Sequence, residues 1–216
     1  MNFDYLREQN DRVLDLALEH LELSASALLI AILVALPLGI LISRLPALSV
    51  PVLAALDVLY TIPTLALLSF LIPTLGIGRE PAILVLAAYA QLALVRNIST
   101  ALRGVDPALL EAARGMGMTG FQVLRKVRLP LAAPILLAGV RIAAVSIISL
   151  ASVTAWVNAG GLGTLLFDGI TRDYPSMILA GTIAIVGIAL AVDMIFRLLE
   201  RLTPTARAYR VHRVRR

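Results

Sequence analysis

"LSASALLIAILVALPLGILIS", residues 23–43, runs for 21 residues without a charged side chain. At 1.5 Å per residue a helix of that length spans about 31 Å, close to the roughly 30 Å hydrocarbon core of a bilayer. A helix also satisfies its own backbone hydrogen bonds, the condition for a segment to lie in lipid. Outward from this stretch, apolar runs recur at about residues 52–72, 81–95, 131–157 and 175–199. Gln91 and Arg96 blur the ends of the third run. The pattern predicts an all-α membrane protein with about five transmembrane helices.

Composition points the same way. The chain is 59% hydrophobic and 15% charged, with a mean hydropathy of +0.90, whereas soluble domains carry nearer a quarter charged residues. Many of the 14 glycines and 11 prolines lie inside apolar runs, where lipid-embedded helices tolerate them. Cysteine is absent, which removes disulfides and thiolate chemistry. The two histidines, His20 and His212, lie near opposite ends. An intramembrane protease needs a nucleophile and a base at membrane depth, so no catalytic residues and no metal site are expected.

The cations are unevenly placed. Arg96, Arg103, Arg114, Arg125, Lys126 and Arg128 lie between the third and fourth runs, and Arg201, Arg207, Arg210, Arg213, Arg215 and Arg216 lie at or beyond the end of the fifth. By the positive-inside rule the N-terminus is expected outside and the C-terminus in the cytosol. Residues 1–22, acid-rich and without the basic start of a secretory signal, read as an extracytoplasmic amphipathic segment. Asn10 or Asp11 would cap it, and Leu14, Leu18 and Leu21 would share one side. Residues 23–202 form the membrane domain, and 203–216 a basic cytosolic tail that meets anionic lipid instead of nucleic acid.

The segment at about 96–130 departs from the apolar pattern. Asp106-Pro107 is an N-cap followed by proline at the first helical position. The helix it opens should run to about Arg114 and end at Gly115 or Gly117 in a left-handed conformation. Thr119 and Gln122 form a capping-box pattern for a second helix toward Arg128, which Pro130 should close. The result is a helix-turn-helix standing off the membrane, a shape that a simple channel does not explain.

Its sequence, "EAARGMG", is followed by nine residues and then "VRLP". This resembles the EAA motif of membrane subunits of binding-protein-dependent ABC importers. Glu111, Ala112, Ala113, Gly117, Leu129 and Pro130 match, and Val127 stands where isoleucine is usual. With "YTIPTLALLSFLIPTLGIG" and "NAGGLGTLLFDGI", the chain is similar to the osmoprotectant branch from about residue 23 to 202; Trp156 and Asn158 depart from the smaller residues usual there. The resemblance implies the type I ABC importer permease fold in the bacterial inner membrane. It also implies a coupling helix, involving Glu111, Ala112, Ala113, Gly115, Gly117, Leu129 and Pro130, that docks on a cytosolic ATP-binding subunit.

The implied cargo is a quaternary-amine osmoprotectant (glycine betaine, carnitine, choline or proline betaine) delivered by an extracytoplasmic substrate-binding protein. The alternative cargo is an amino acid such as methionine or another small zwitterion. The chain has no G-x-x-x-x-G-K-[ST] phosphate loop, so it binds no cofactor itself, and ATP and Mg²⁺ belong to the partner. Five spans call for a second permease subunit, identical or paralogous. Gly139 with Ala143, Ala180 with Ala184, and Gly187 with Ala191 are spaced for close helix packing.

Polar and aromatic residues in the spans are the pathway candidates. Arg141, Ser149, Ser152 and Trp156 fall near one face of the fourth span. Arg141 is alternatively expected to snorkel or to pair with Asp57, and the serines to bond their own helix. Tyr60, Tyr89 and Trp156 offer rings to a quaternary ammonium. Pro63 and Pro73 should kink the second span, and Gln91 should face protein. Asp193 and Arg197 form an i,i+4 pair. Asn158, Gly160, Gly161 and Gly163 open an irregular outer turn, the candidate outer gate, which at membrane depth must be covered or line a cavity.

Overall fold

The computed structural model describes Tyr5 and residues 8–203, and among these described residues nine α-helices carry the architecture. The basic tail beyond Thr203 lies outside the described residues. No strand occurs among the described residues.

Helix α1 (Asn10–Arg44) is 35 residues long, about 52 Å at 1.5 Å per residue, and so exceeds the roughly 30 Å hydrocarbon core. The amphipathic segment is thus the first part of the first span's own helix. Gln9 occupies the cap position without a side-chain bond, and Asn10 is already helical; neither Asn10 nor Asp11 caps. The buried stripe is Val13, Leu16, His20 and Leu23, while Leu14, Leu18 and Leu21 are exposed. On the buried side, Val13 and Leu16 pack with Ile148, Leu162, Leu165, Met177 and Ile185. Farther along, Ala27, Ala31, Ala35 and Gly39 are buried at four-residue spacing, the small-residue ladder that lets lipid-embedded helices approach closely.

The second span is broken. Helices α2 (Pro46–Thr61) and α3 (Thr64–Leu75) meet at 92°. Ile62 is extended (φ −67°, ψ 129°), the conformation that a following proline imposes. Pro63 therefore makes the bend, whereas Pro73 sits inside α3 without ending it. The Tyr89 hydroxyl donates to the Ile62 carbonyl, satisfying a group that the break releases.

Helix α4 (Arg79–Arg103) is the most buried of the membrane-length helices. It packs on α1 and on α7 (Leu129–Thr154). Gln91 faces protein: its Nε2 donates to the carbonyls of Ala31 and Ala87, both at 3.1 Å. Between α4 and α7 lie α5 (Pro107–Gly115), α6 (Gly120–Val123) and a π turn (Leu124–Arg128). Pro130 does not close a helix here. Helical structure runs unbroken from Gly120 to Val157. The wide turn, in which the Leu129 N–H reaches the Leu124 carbonyl, immediately precedes the proline and eases its passage through the helix.

A short 3₁₀ turn (Ala155–Val157), α8 (Gly163–Thr171) and α9 (Pro175–Leu202) complete the bundle. Among the described residues four helices are long and apolar enough to cross a membrane, and the count is five if the bent α2–α3 pair is taken as one span. Arg141 pairs with α9 and not with Asp57. It donates to Asp193 and Glu200, both at 2.9 Å, while Asp193 also accepts from Arg197 at 2.6 Å. Asp57 is held by Arg96. The reason is neighbourhood: α9 packs along α7 where Arg141 emerges.

Candidate functional site

Three regions carry the candidate residues. The first is the α5–α6 knuckle. Asp106 Oδ1 accepts from the Ala108 N–H at 2.9 Å, with Pro107 opening the helix. Leu110 and Ala113 are buried, whereas Glu111, Ala112, Arg114 and Gly115 are exposed. Gly117, with φ +80°, is the left-handed exit. Its N–H reaches the Arg114 carbonyl and that of Met118 reaches Ala113, the paired bonds of a Schellman cap. Gly115 stays helical. Thr119 and Gln122 exchange both capping-box bonds, at 3.3 and 2.8 Å.

Every turn of the knuckle is thus fixed by a local bond, so the surface it presents is preorganised. That surface is partly apolar: Met116 is 72% and Phe121 67% exposed, beside Leu109. A basic cavity of about 570 Å³, bordered by Arg44, Arg114, Phe121 and Arg128, flanks it. Leu129 and Pro130 begin α7 just beyond and do not join the exposed face of α5. An exposed apolar tip on a short, rigidly capped helix suits burial against another protein.

The second region is the face shared by α2, α4 and α7. Tyr60 is 50% exposed and lies 5.7 Å, centroid to centroid, from the mostly buried Tyr89. A cavity of about 490 Å³ joins these two tyrosines to Pro63, Ser146 and Ser149. An adjoining cavity of about 290 Å³ continues from the tyrosines to Arg96, Asn97 and Ile142. The expected α7 face is therefore only partly assembled. Ser149 lines the cavity while its Oγ donates to Val145 O at 3.1 Å, and Ser152 Oγ donates to Ser149 O at 2.7 Å. Arg141 turns to α9, and Trp156 stands beyond the helix end with its ring 5.6 Å from Phe167. Gln91, braced between α1 and α4, lines neither cavity.

The third region is the glycine turn. Asn158 (φ 57°), Gly160 (φ 82°) and Gly161 (φ 77°) are left-handed, so the chain reverses sharply there. Glu19 accepts from the Gly161 N–H at 3.0 Å, and a Cβ on Gly160 would lie 2.7 Å from that carboxylate. His20, fully buried, donates from Nε2 to Ile148 O at 3.0 Å. A Cβ on Gly163 would meet the Ser152 carbonyl at 2.0 Å. Covered by α1 and α7, this irregular backbone meets the condition for surviving at membrane depth.

Sequence reasoning missed Glu19 and His20 as partners of the glycine turn, and the Arg96–Asp57 pair beside the tyrosines. One signal was available for the latter: both are charges inside or beside apolar runs.

The matching family model, "Binding-protein-dependent transport system inner membrane component", covers residues 27–203. The "Carnitine transport permease protein OpuCB" of Listeria monocytogenes is 41% identical, over 94% of this chain and 93% of its own. The "Osmoprotectant import permease protein OsmW" of Salmonella typhimurium is 40% identical, over 93% and 96%. Among solved structures, an inward-facing form of the MetNI methionine ABC transporter aligns with a TM-score of 0.77 at 25% identity, covering 86% of this chain and 93% of that one. The broken second span, the capped knuckle and these likenesses together identify the chain as a member of the family of multi-pass inner-membrane components of binding-protein-dependent transport systems.

Proposed function

We propose that this chain is the permease subunit of an ATP-driven importer of quaternary-amine osmoprotectants. Its cargo is glycine betaine, carnitine, choline or proline betaine, delivered by an extracytoplasmic binding protein. The observation that carries the cargo is the relatives' transport of carnitine, choline and osmoprotectants, by their names, across more than nine-tenths of this chain. The aromatic pair Tyr60–Tyr89, bordering an open cavity, supports it, since a cation over a ring gains about 0.5–2 kcal/mol.

In this reading α5 is the coupling helix. Glu111, Ala112 and Met116 enter a groove on a cytosolic subunit that binds ATP and Mg²⁺, and Gly117 fixes the angle at which force enters. The N-terminus faces outward, the glycine turn forms the outer gate, and a second permease subunit completes the pathway. Methionine is the weaker cargo: the solved methionine transporter shares the fold at 25% identity, against 41% for the carnitine relative.

Uptake of labelled glycine betaine into proteoliposomes holding the whole transporter, with unlabelled competitors, tests the cargo. Competition by carnitine or choline and none by methionine is expected. Competition by methionine alone refutes the reading.

A further inference from the structure

The smaller cavity at the α2–α4–α7 face carries an arrangement that the transport of a bare cation does not require. Asp57 and Tyr60 lie three residues apart on α2, and therefore on one face. Tyr89 and Arg96 lie seven apart on α4, again on one face and about 10.5 Å apart along the axis. Two aromatic rings border one end of a cavity of about 290 Å³, and a guanidinium borders the other. Its size approaches the lower bound of ordinary small-molecule sites, about 300 Å³.

Arg96 is only half engaged. Its Nη2 donates to both Asp57 oxygens, at 2.7 and 2.9 Å, while its Nε and Nη1 have no partner among the described residues. A guanidinium presents a fork that can hold more than one carboxylate oxygen. Both members of the pair are about half exposed. Charges at membrane depth commonly mark a path for solute.

We propose that this cavity is a low-affinity zwitterion site. Arg96 takes the carboxylate of the cargo, Tyr60 and Tyr89 border its quaternary ammonium, and Asp57 one turn below Tyr60 supplies the opposite field. This deepens the osmoprotectant reading and rests on it. Aromatic rings from α2 and α4 and the Arg96 guanidinium line the cavity, with Asp57 held by Arg96 beside it, an order that matches a solute carrying both signs. A betaine gains at both ends. Choline gains at the rings and Asp57 but faces Arg96 unpaired, so the site favours carboxylate-bearing cargo.

The test uses the permease–ATPase complex without its binding protein, measuring equilibrium binding of labelled glycine betaine and labelled choline at millimolar concentrations. Arg96→Gln should weaken glycine betaine by about tenfold, the worth of one hydrogen bond to a charged group, and leave choline unchanged or tighter. Arg96→Lys should recover part of the loss, and Tyr60→Ala should weaken both solutes. Asp57→Asn frees Arg96 for the carboxylate but removes the acid that favours the ammonium, so choline binding should weaken while glycine betaine binding holds.

A brace-only role for the ion pair would instead make Arg96→Gln and Asp57→Asn lose both solutes alike, and that result overturns the proposal. Absence of glycine betaine binding to the unsubstituted complex also overturns it. Uptake with the binding protein present separates the two levels. If the unsubstituted transporter moves no quaternary amine, the cargo assignment fails. If it does, and Arg96→Gln leaves the ratio of glycine betaine to choline unchanged, only the site fails.

Discussion

Gly139 and Gly187 look alike in sequence, each followed four residues later by alanine, yet the structure gives them opposite surroundings. A Cβ on Gly139 would lie 2.5 Å from Asn97 Cβ and 3.1 Å from Asn97 Cγ. Nonbonded carbons rest at about 3.5–4.0 Å, so Gly139→Ala must part α4 and α7 by roughly 1 Å at that crossing. The crowding atom is Asn97 Cβ, fixed to the backbone, so rotamer change gives no relief. Overpacking of this kind costs about 1–3 kcal/mol.

For a chain of this length each kcal/mol shifts the melting midpoint by about 2–4 °C. Gly139→Ala should therefore lower the temperature at which the purified transporter loses its size-exclusion peak by roughly 2–12 °C. A Cβ on Gly187 meets nothing within 4 Å, and alanine is the better helix former by about 1 kcal/mol. Gly187→Ala should leave the midpoint unchanged or raise it. Equal midpoints for the two variants would refute the reasoning, because the crossing would then be loose enough to absorb a methyl group.

Gly117→Val places a β-branched residue in the left-handed region, where any side chain costs roughly 1–2 kcal/mol; co-purification of the ATPase subunit should fall while the spans remain folded by circular dichroism. Tyr89→Phe removes the donor to the Ile62 carbonyl, so the α2–α3 bend should loosen at a cost of about 1–3 kcal/mol, read as a lower melting midpoint and faster proteolysis near Pro63. Glu19→Ala should free the glycine turn, and a cysteine at Asn158 should then react faster with a membrane-impermeant maleimide than in the parent; an unchanged rate would show that the Glu19 bond does not hold the turn.

The knuckle is legible in sequence because its signals are local. Asp106, Gly117, Thr119 and Gln122 each act on backbone groups within five residues, and the structure shows all four in those roles. The membrane passages are legible because bilayer thickness sets their length. Charge pairing is not, because it depends on which helices become neighbours and how each is rotated. Arg141 has carboxylates on two other helices to choose from, and the packing of α9 against α7 decides for Asp193 and Glu200. Glu19 and Gly161 are separated by 142 residues, and no pattern in either stretch announces the other. The protein-facing stripe of α1 is hidden for a related reason: apolar residues on both sides of the helix leave periodicity ambiguous, and only the partner surface selects Val13 and Leu16.

The unbroken helical run from Gly120 to Val157 is 38 residues long, and Gly139, its tight contact with α4, lies at its midpoint. Each arm is then about 28 Å long at 1.5 Å per residue. A stiff beam pinned at its centre has a simple property: tilt moves its ends by equal amounts in opposite directions. One end carries the capping box of the knuckle and the other leads directly into Asn158. If the run turns as one rigid body about Gly139, a displacement at the knuckle end is matched by an opposite displacement at the glycine turn.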